Sequence, residues 1–168
     1  VKRRRAWATL LALAWLMTAG GAAADEFRCA EHRFRMLVPA GWRMRSHPRA
    51  LANDPLLIAQ SPQPQSGVSI TVLYQETDSL DEFEQATRQS MPSMNGKLLA
   101  MRRLRIHGLE AGRMLWLGTS GGERWGFDST YVLYRGVTYL ITGTAPETDF
   151  AACEKIFDEV ADSFRPLR

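Results

Sequence analysis

Apolar side chains recur at every second position in several stretches of this chain, and at helical spacing in two others. Phe34, Met36 and Val38 alternate with Arg33, Arg35 and Leu37, the period of a half-buried strand over 32–38. Pro39-Ala40-Gly41-Trp42 then makes a turn, Arg43-Met44-Arg45 resumes briefly, and 47–55 reads as a loop. Leu56 to Ala59 is a short apolar strand closed by Ser61-Pro62-Gln63-Pro64, and Val68, Ile70, Val72 and Tyr74 mark one side of a strand over 67–74. Ser79 followed three residues later by Glu82 fits a capping box. Leu80, Phe83, Ala86 or Thr87, and Met91 then repeat at helical spacing up to Pro92. Four strands follow, over 97–106, 110–119, 124–134 and 137–144, joined at His107-Gly108, Gly121-Gly122 and Arg135-Gly136. Short Gly-containing turns of this kind predict an antiparallel meander. A second helix begins after Pro146, with Phe150, Cys153, Ile156 or Phe157, Val160 and Phe164 on its buried stripe, and ends by Arg165-Pro166. The order of elements predicts one α+β domain over 25–168, an antiparallel sheet covered by two main helices.

The N-terminal segment follows a different pattern. Lys2, Arg3, Arg4 and Arg5 precede an apolar run from Ala6 to Met17, broken by Thr9, and then the small residues Thr18 to Ala24. Basic, apolar, small is the layout of a secretory signal peptide over 1–24, with cleavage expected after Ala24 at Ala22-x-Ala24. About a dozen apolar residues fall short of the roughly 20 that span a bilayer, so no stable membrane span is expected after cleavage. The tract fits Sec or twin-arginine export, and the expected destination is the periplasm or the exterior.

Composition changes meaning once that segment is set aside. The whole chain is formally +3, but from Asp25 onward 17 Lys and Arg stand against 18 Asp and Glu. This balance removes any global argument for nucleic acid. Cys29 and Cys153 remain. In an oxidising compartment they are a candidate disulfide, or two separate thiols; spacing alone does not choose between them.

An ordered set of motifs covers nearly all of the chain after residue 30. Phe34-x-Met36-x-Val38-Pro39-x-Gly41-Trp42, Gly67 to Val72, Ser79-Leu80-Asp81-Glu82-Phe83, Gly112-Arg113 to Trp116, Tyr131 to Tyr139, and Phe157 to Phe164 come in sequence. This set resembles the PsbP-like superfamily, which includes extrinsic accessory proteins of photosystem II, periplasmic proteins of the DcrB type, and a nuclear-import factor that binds the Ran GTPase. The resemblance implies an α/β/α sandwich around an antiparallel sheet, and an accessory or binding role with varied partners. The bacterial-style signal argues against carrying over a photosynthetic role.

Candidate chemistry is sparse. Gly118-Thr119-Ser120-Gly121-Gly122 has the look of a serine-protease nucleophile segment, but His32, His47 and His107 lie in no matching context, so the expected reading is a turn. No spacing of His or Cys suggests a metal, no glycine pattern suggests a nucleotide, and no cofactor or catalytic residue is assigned. Arg102, Arg103 and Arg105 form a candidate basic contact strip for an acidic or phosphate-bearing surface. Trp42, Trp116 and Trp125 sit in or beside strands, where aromatic residues usually fill core. The expected function is a non-catalytic accessory protein of the cell envelope that binds a protein partner. Binding of a small ligand or lipid between sheet and helices is the alternative, and a hydrolase at Ser120 comes last.

Overall fold

The computed structural model of the chain describes residues 24–63, 67–77 and 79–167. Of the expected signal peptide over 1–24, residues 1–23 lie outside the described residues; Ala24, the expected cleavage residue, is exposed.

Two antiparallel sheets form. β1 (Asp25–Cys29), β2 (Phe34–Val38) and the short β10 (Arg165–Pro166) make a three-stranded sheet in the order β1-β2-β10. The larger sheet comprises β3 (Arg43–Ser46), β4 (Leu57–Gln60), β5 (Ser69–Glu76), β6 (Lys97–Ile106), β7 (Leu109–Ser120), β8 (Glu123–Tyr134) and β9 (Val137–Pro146), in the order β3-β4-β5-β9-β8-β7-β6. The helices are α1 (Leu80–Ser90) and α2 (Glu147–Asp162).

The meander β6–β9 follows from its turns. Both residues of each two-residue loop, His107-Gly108, Gly121-Gly122 and Arg135-Gly136, have φ between 51° and 85°. This is the left-handed pair of a type I′ turn, whose twist matches that of the flanking strands. The Ser79 half of the expected capping box forms at the start of α1, with Ser79 Oγ accepting from the Glu82 N–H at 3.2 Å. Pro92 does not stop the chain outright. It opens a 3-10 turn over Met91–Met94, which Asn95 closes at φ 49°.

Register fixes which side chains share a face. On β8 and β9, Val132 opposes Tyr139, Thr130 opposes Ile141, Asp128 opposes Gly143 and Gly126 opposes Ala145. This face carries α2: Phe150 lies against Gly126 and Phe157 against Gly143. The small sheet shares the layer, since Phe34 meets both Tyr139 and Phe164 at ring-centroid distances of 5.5 Å. The opposite face carries α1, where Leu80, Phe83 and Met91 pack with Met114 and Tyr131.

The fold is α+β with the helices on opposite faces of a large antiparallel sheet. The single predicted sheet is two, because Phe34, Met36 and Val38 belong to a separate layer beside α2. β1 and β10 had little local signal: β1 shows only Phe27 and Cys29 alternating among charges, and β10 is two residues long.

Candidate functional site

Ser120 ends β7 beside the Gly121-Gly122 turn, exposed and opposite Glu123. The histidines lie toward the other end of the sheet. His107 precedes β7, and eleven residue steps along that strand span about 36 Å. The ring of His32 lies 4.5 Å from that of Tyr74, which is joined through Tyr139 and Val132 to the row of Ala111. His47 follows β3, whose last residue, Ser46, lies in the row of Arg113 through Leu57, Val72, Ile141 and Thr130. The fold therefore brings no imidazole to Ser120. Among the described residues no group of three or more His, Cys, Asp or Glu is placed to hold a metal, and no helix is long and apolar enough to cross a membrane.

Cys29 and Cys153 are free, buried thiols rather than a disulfide. Cys29 lies at the β1–β2 turn, where its sulfur takes the His32 N–H, beside Tyr139, whose hydroxyl donates to the His32 carbonyl at 2.7 Å. Cys153 lies on α2 between Phe150 and Phe157, the rings seated on Gly126 and Gly143. Burial pushes both thiols above their usual range, which suits packing rather than nucleophilic chemistry.

The basic strip is divided by the pleat. Arg103 and Arg105 face α1, as the alternation predicts, and Arg102 faces the other way beside Arg113. Arg103 is consumed: Nη2 meets Asp81 at 2.6 Å and Nε meets Glu84 at 2.5 Å. Arg105 donates to the Gly108 carbonyl. Of these three, Arg102 alone has no salt bridge or side-chain hydrogen bond with another described residue.

Sequence reading missed two polar networks. In the first, Tyr131, fully buried on β8, donates to Glu84 Oε1 at 2.5 Å, tying α1 to the sheet. Burial alone would push the Glu84 carboxyl up. The bonds from Tyr131 and Arg103 overcome this and leave it below its ordinary value. Burial, reinforced by Glu84, holds the Tyr131 phenol far above its usual range.

In the second network Arg113 donates from Nε to Asp128 Oδ1 at 2.7 Å and from Nη2 to Oδ2, and its Nη1 meets Asp158 of α2 at 2.5 Å. Arg113 and Asp128 are 7% and 3% exposed. Burial pushes the Asp128 carboxyl up and the Arg113 guanidinium opposes that rise, while the bonds to Asp128 hold the guanidinium firmly protonated. Removing one partner of such a pair costs about 3–5 kcal/mol, since the other charge stays buried alone. The sequence carried a faint signal: two opposite charges at inward positions of strands joined by one tight hairpin, set diagonally across the ladder.

Trp42, Trp116 and Trp125 are half-buried. Trp42 packs on the main core, and Trp125 covers Gly67. Trp116 stacks on Phe127 with ring centroids 3.9 Å apart. This last pair walls a broad face. α1, 11 residues long, spans about 16 Å, whereas seven strands extend for about 29 Å. Beyond α1, Phe127, Thr144 and Ser69 form one row on that side and Ser129, Thr142 and Thr71 the next. Ser69, Thr71 and Thr144 are half-buried, and their hydroxyls bond to no other described side chain. By contrast, the α2 side is filled, since Phe150 and Phe157 occupy the space above Gly126 and Gly143.

No family model and no curated protein matches the chain. Solved structures do. Cyanobacterial PsbP (CyanoP) from Synechocystis sp. PCC 6803 is 15% identical with a TM-score of 0.69, over 89% of this chain and 95% of that one. LpqN, involved in cell envelope biogenesis of Mycobacterium tuberculosis, is 10% identical with a TM-score of 0.61, over 89% and 88%. A mutant of the protein Mog1 is 12% identical with a TM-score of 0.60, over 86% and 96%. Identities this low carry the architecture and nothing finer: the chain has the PsbP-like fold.

Proposed function

We propose that the chain is an exported, non-catalytic accessory protein of the bacterial cell envelope that acts by binding a protein partner. One observation carries this reading: where the polar chemistry is spent. The ionisable groups drawn into the fold are neutralised by one another, Arg113 with Asp128 and Asp158, and Glu84 with Arg103 and Tyr131. Among the described residues, the hydroxyls left unspent lie across a half-buried part of the sheet beyond α1, beside a stacked aromatic pair. A broad face of this kind suits contact with another surface better than turnover of a small substrate. The basic, apolar and small segments at the N-terminus support export, and the role of LpqN in cell envelope biogenesis supports the compartment.

The test is to capture partners from native envelope with the unaltered chain and with Ser69→Arg and Thr144→Arg. These variants place a long charged side chain on this face without touching either network. The expected outcome is a defined partner lost from both variants, with unfolding midpoints unchanged. Retention of the same partner by both variants would overturn the assignment to this face.

A further inference from the structure

Three unpaired arginines stand at the edge of the large sheet opposite the predicted strip. β3 is the terminal strand of the large sheet, and all four of its residues are exposed. Arg43 and Arg45 project to one side of it, and Arg49 follows on the next loop with His47 between. Among the described residues none of the three arginines has a salt bridge or a side-chain hydrogen bond. On β6, Arg103 and Arg105 are engaged and Arg102 is not. The loop that follows is braced from within: the His47 N–H bonds to Leu56, Ala50 to His47, and Asn53 to Tyr74. At its crest Leu51 is 74% exposed, and Met44 on the strand is 39% exposed. Beside them runs a groove of about 650 Å³ lined by His47, Arg49 and Ala50, with Asp54 its single acid.

Large apolar side chains held in water amid unpaired cations fit a definite surface. We propose that β3 and the 47–55 loop dock edge-on to an anionic phospholipid bilayer, Leu51 entering the headgroup boundary while Arg43, Arg45 and Arg49 contact lipid phosphates. Charge complementarity argues for this occupant. From Asp25 onward the chain is close to neutral, so the cluster is a local asymmetry, and the acids of α2 lie over β8 and β9, at least three strands or about 14 Å away. An exposed leucine on a loop that carries Arg49, next to a strand that carries Arg43 and Arg45, matches the interface, where each basic residue strengthens attraction to anionic lipid about fivefold and one buried side chain adds more. An acidic protein would use the cations but would give Leu51 no apolar medium.

The test uses protein recovered after export, its N-terminus read by mass spectrometry, in co-sedimentation with vesicles. One set is pure phosphatidylcholine, the other carries about 30% phosphatidylglycerol, a content at which anionic surface charge is substantial. Binding to the anionic set alone is expected, and it should weaken as salt rises. Arg43→Glu/Arg45→Glu/Arg49→Glu should reduce it by on the order of a hundredfold. Leu51→Asp should reduce it severalfold at unchanged charge on the arginines. All four side chains are solvent-facing, and unfolding midpoints equal to the parent's confirm that the fold persists. Equal binding to neutral vesicles, no binding to anionic vesicles at low salt, or full binding by the triple variant would each overturn the proposal. So would capture of an acidic protein through this patch by a chain that ignores vesicles.

Discussion

Glu84 shows how one side chain can hold an element in place and respond to acidity. It accepts from Tyr131 and from Arg103, and its carboxyl titrates below the ordinary value of 4.5. A carboxylate depressed in the folded state stabilises above its unfolded pKa, and that contribution is lost as pH falls through the folded value. Glu84→Gln removes the linkage. Parent and variant should therefore converge in stability below about pH 3 and separate above about pH 5, the parent being more stable by about 1 kcal/mol. Urea denaturation from pH 3 to 7 checks this, and a gap that stays constant across the range would refute it. The same group explains why the predicted basic strip does not survive as drawn. The partners of Arg103 lie 19 and 22 residues earlier, on a helix whose placement over β6 and β7 no local pattern reveals.

At the scale of elements, local chemistry was legible and layer assignment was not. Ser79 and Glu82 announce the start of α1, and each glycine-containing two-residue turn announces its hairpin, because a cap or a type I′ turn is decided within a few residues. Strand alternation likewise picked out Ile70 and Val72, and the helical stripe Phe150 and Val160. What alternation could not convey is why Gly126 and Gly143 stand at mid-strand. They sit on neighbouring strands beneath Phe150 and Phe157, two helical turns apart on α2, and a Cβ on either would fall within the ring above it. Gly143→Ala should then destabilise the chain by about 1–3 kcal/mol, the usual cost of overpacking, although alanine is the better strand residue in isolation. Phe157→Leu in the same chain should recover part of the loss. Thermal unfolding of the single and double variants is the measurement, and a neutral or stabilising Gly143→Ala would mean that α2 does not rest on that glycine.

For the molecule as a whole, the question is where the folding unit begins. β1 starts at Asp25, directly after the expected cleavage point, and its contacts are integral to one layer. Cys29 is 2% exposed, and the ring of Phe27 lies 5.8 Å from that of Phe34. Without β1, the partners of β2 reduce to the two residues of β10, and so small a remnant is marginal in water. The charge balance legible in the sequence already separates residues 1–24 from the rest, while β1 itself was invisible because its partner strand lies across a turn with weak signals. A chain beginning at Asp25 should thus match the full chain's unfolding midpoint to within about 2 °C, whereas one beginning at Ala30 should fall by about 10 °C or more. That estimate takes roughly 3 kcal/mol for a lost strand of five residues and about 3–4 °C per kcal/mol at this size. Calorimetry on the two truncated chains separates the cases. A large loss on starting at Asp25 would place the first 24 residues within the folded unit, and the export reading would fail with it. A small loss on starting at Ala30 would instead detach the three-stranded sheet from the core that Phe34 and Phe164 share.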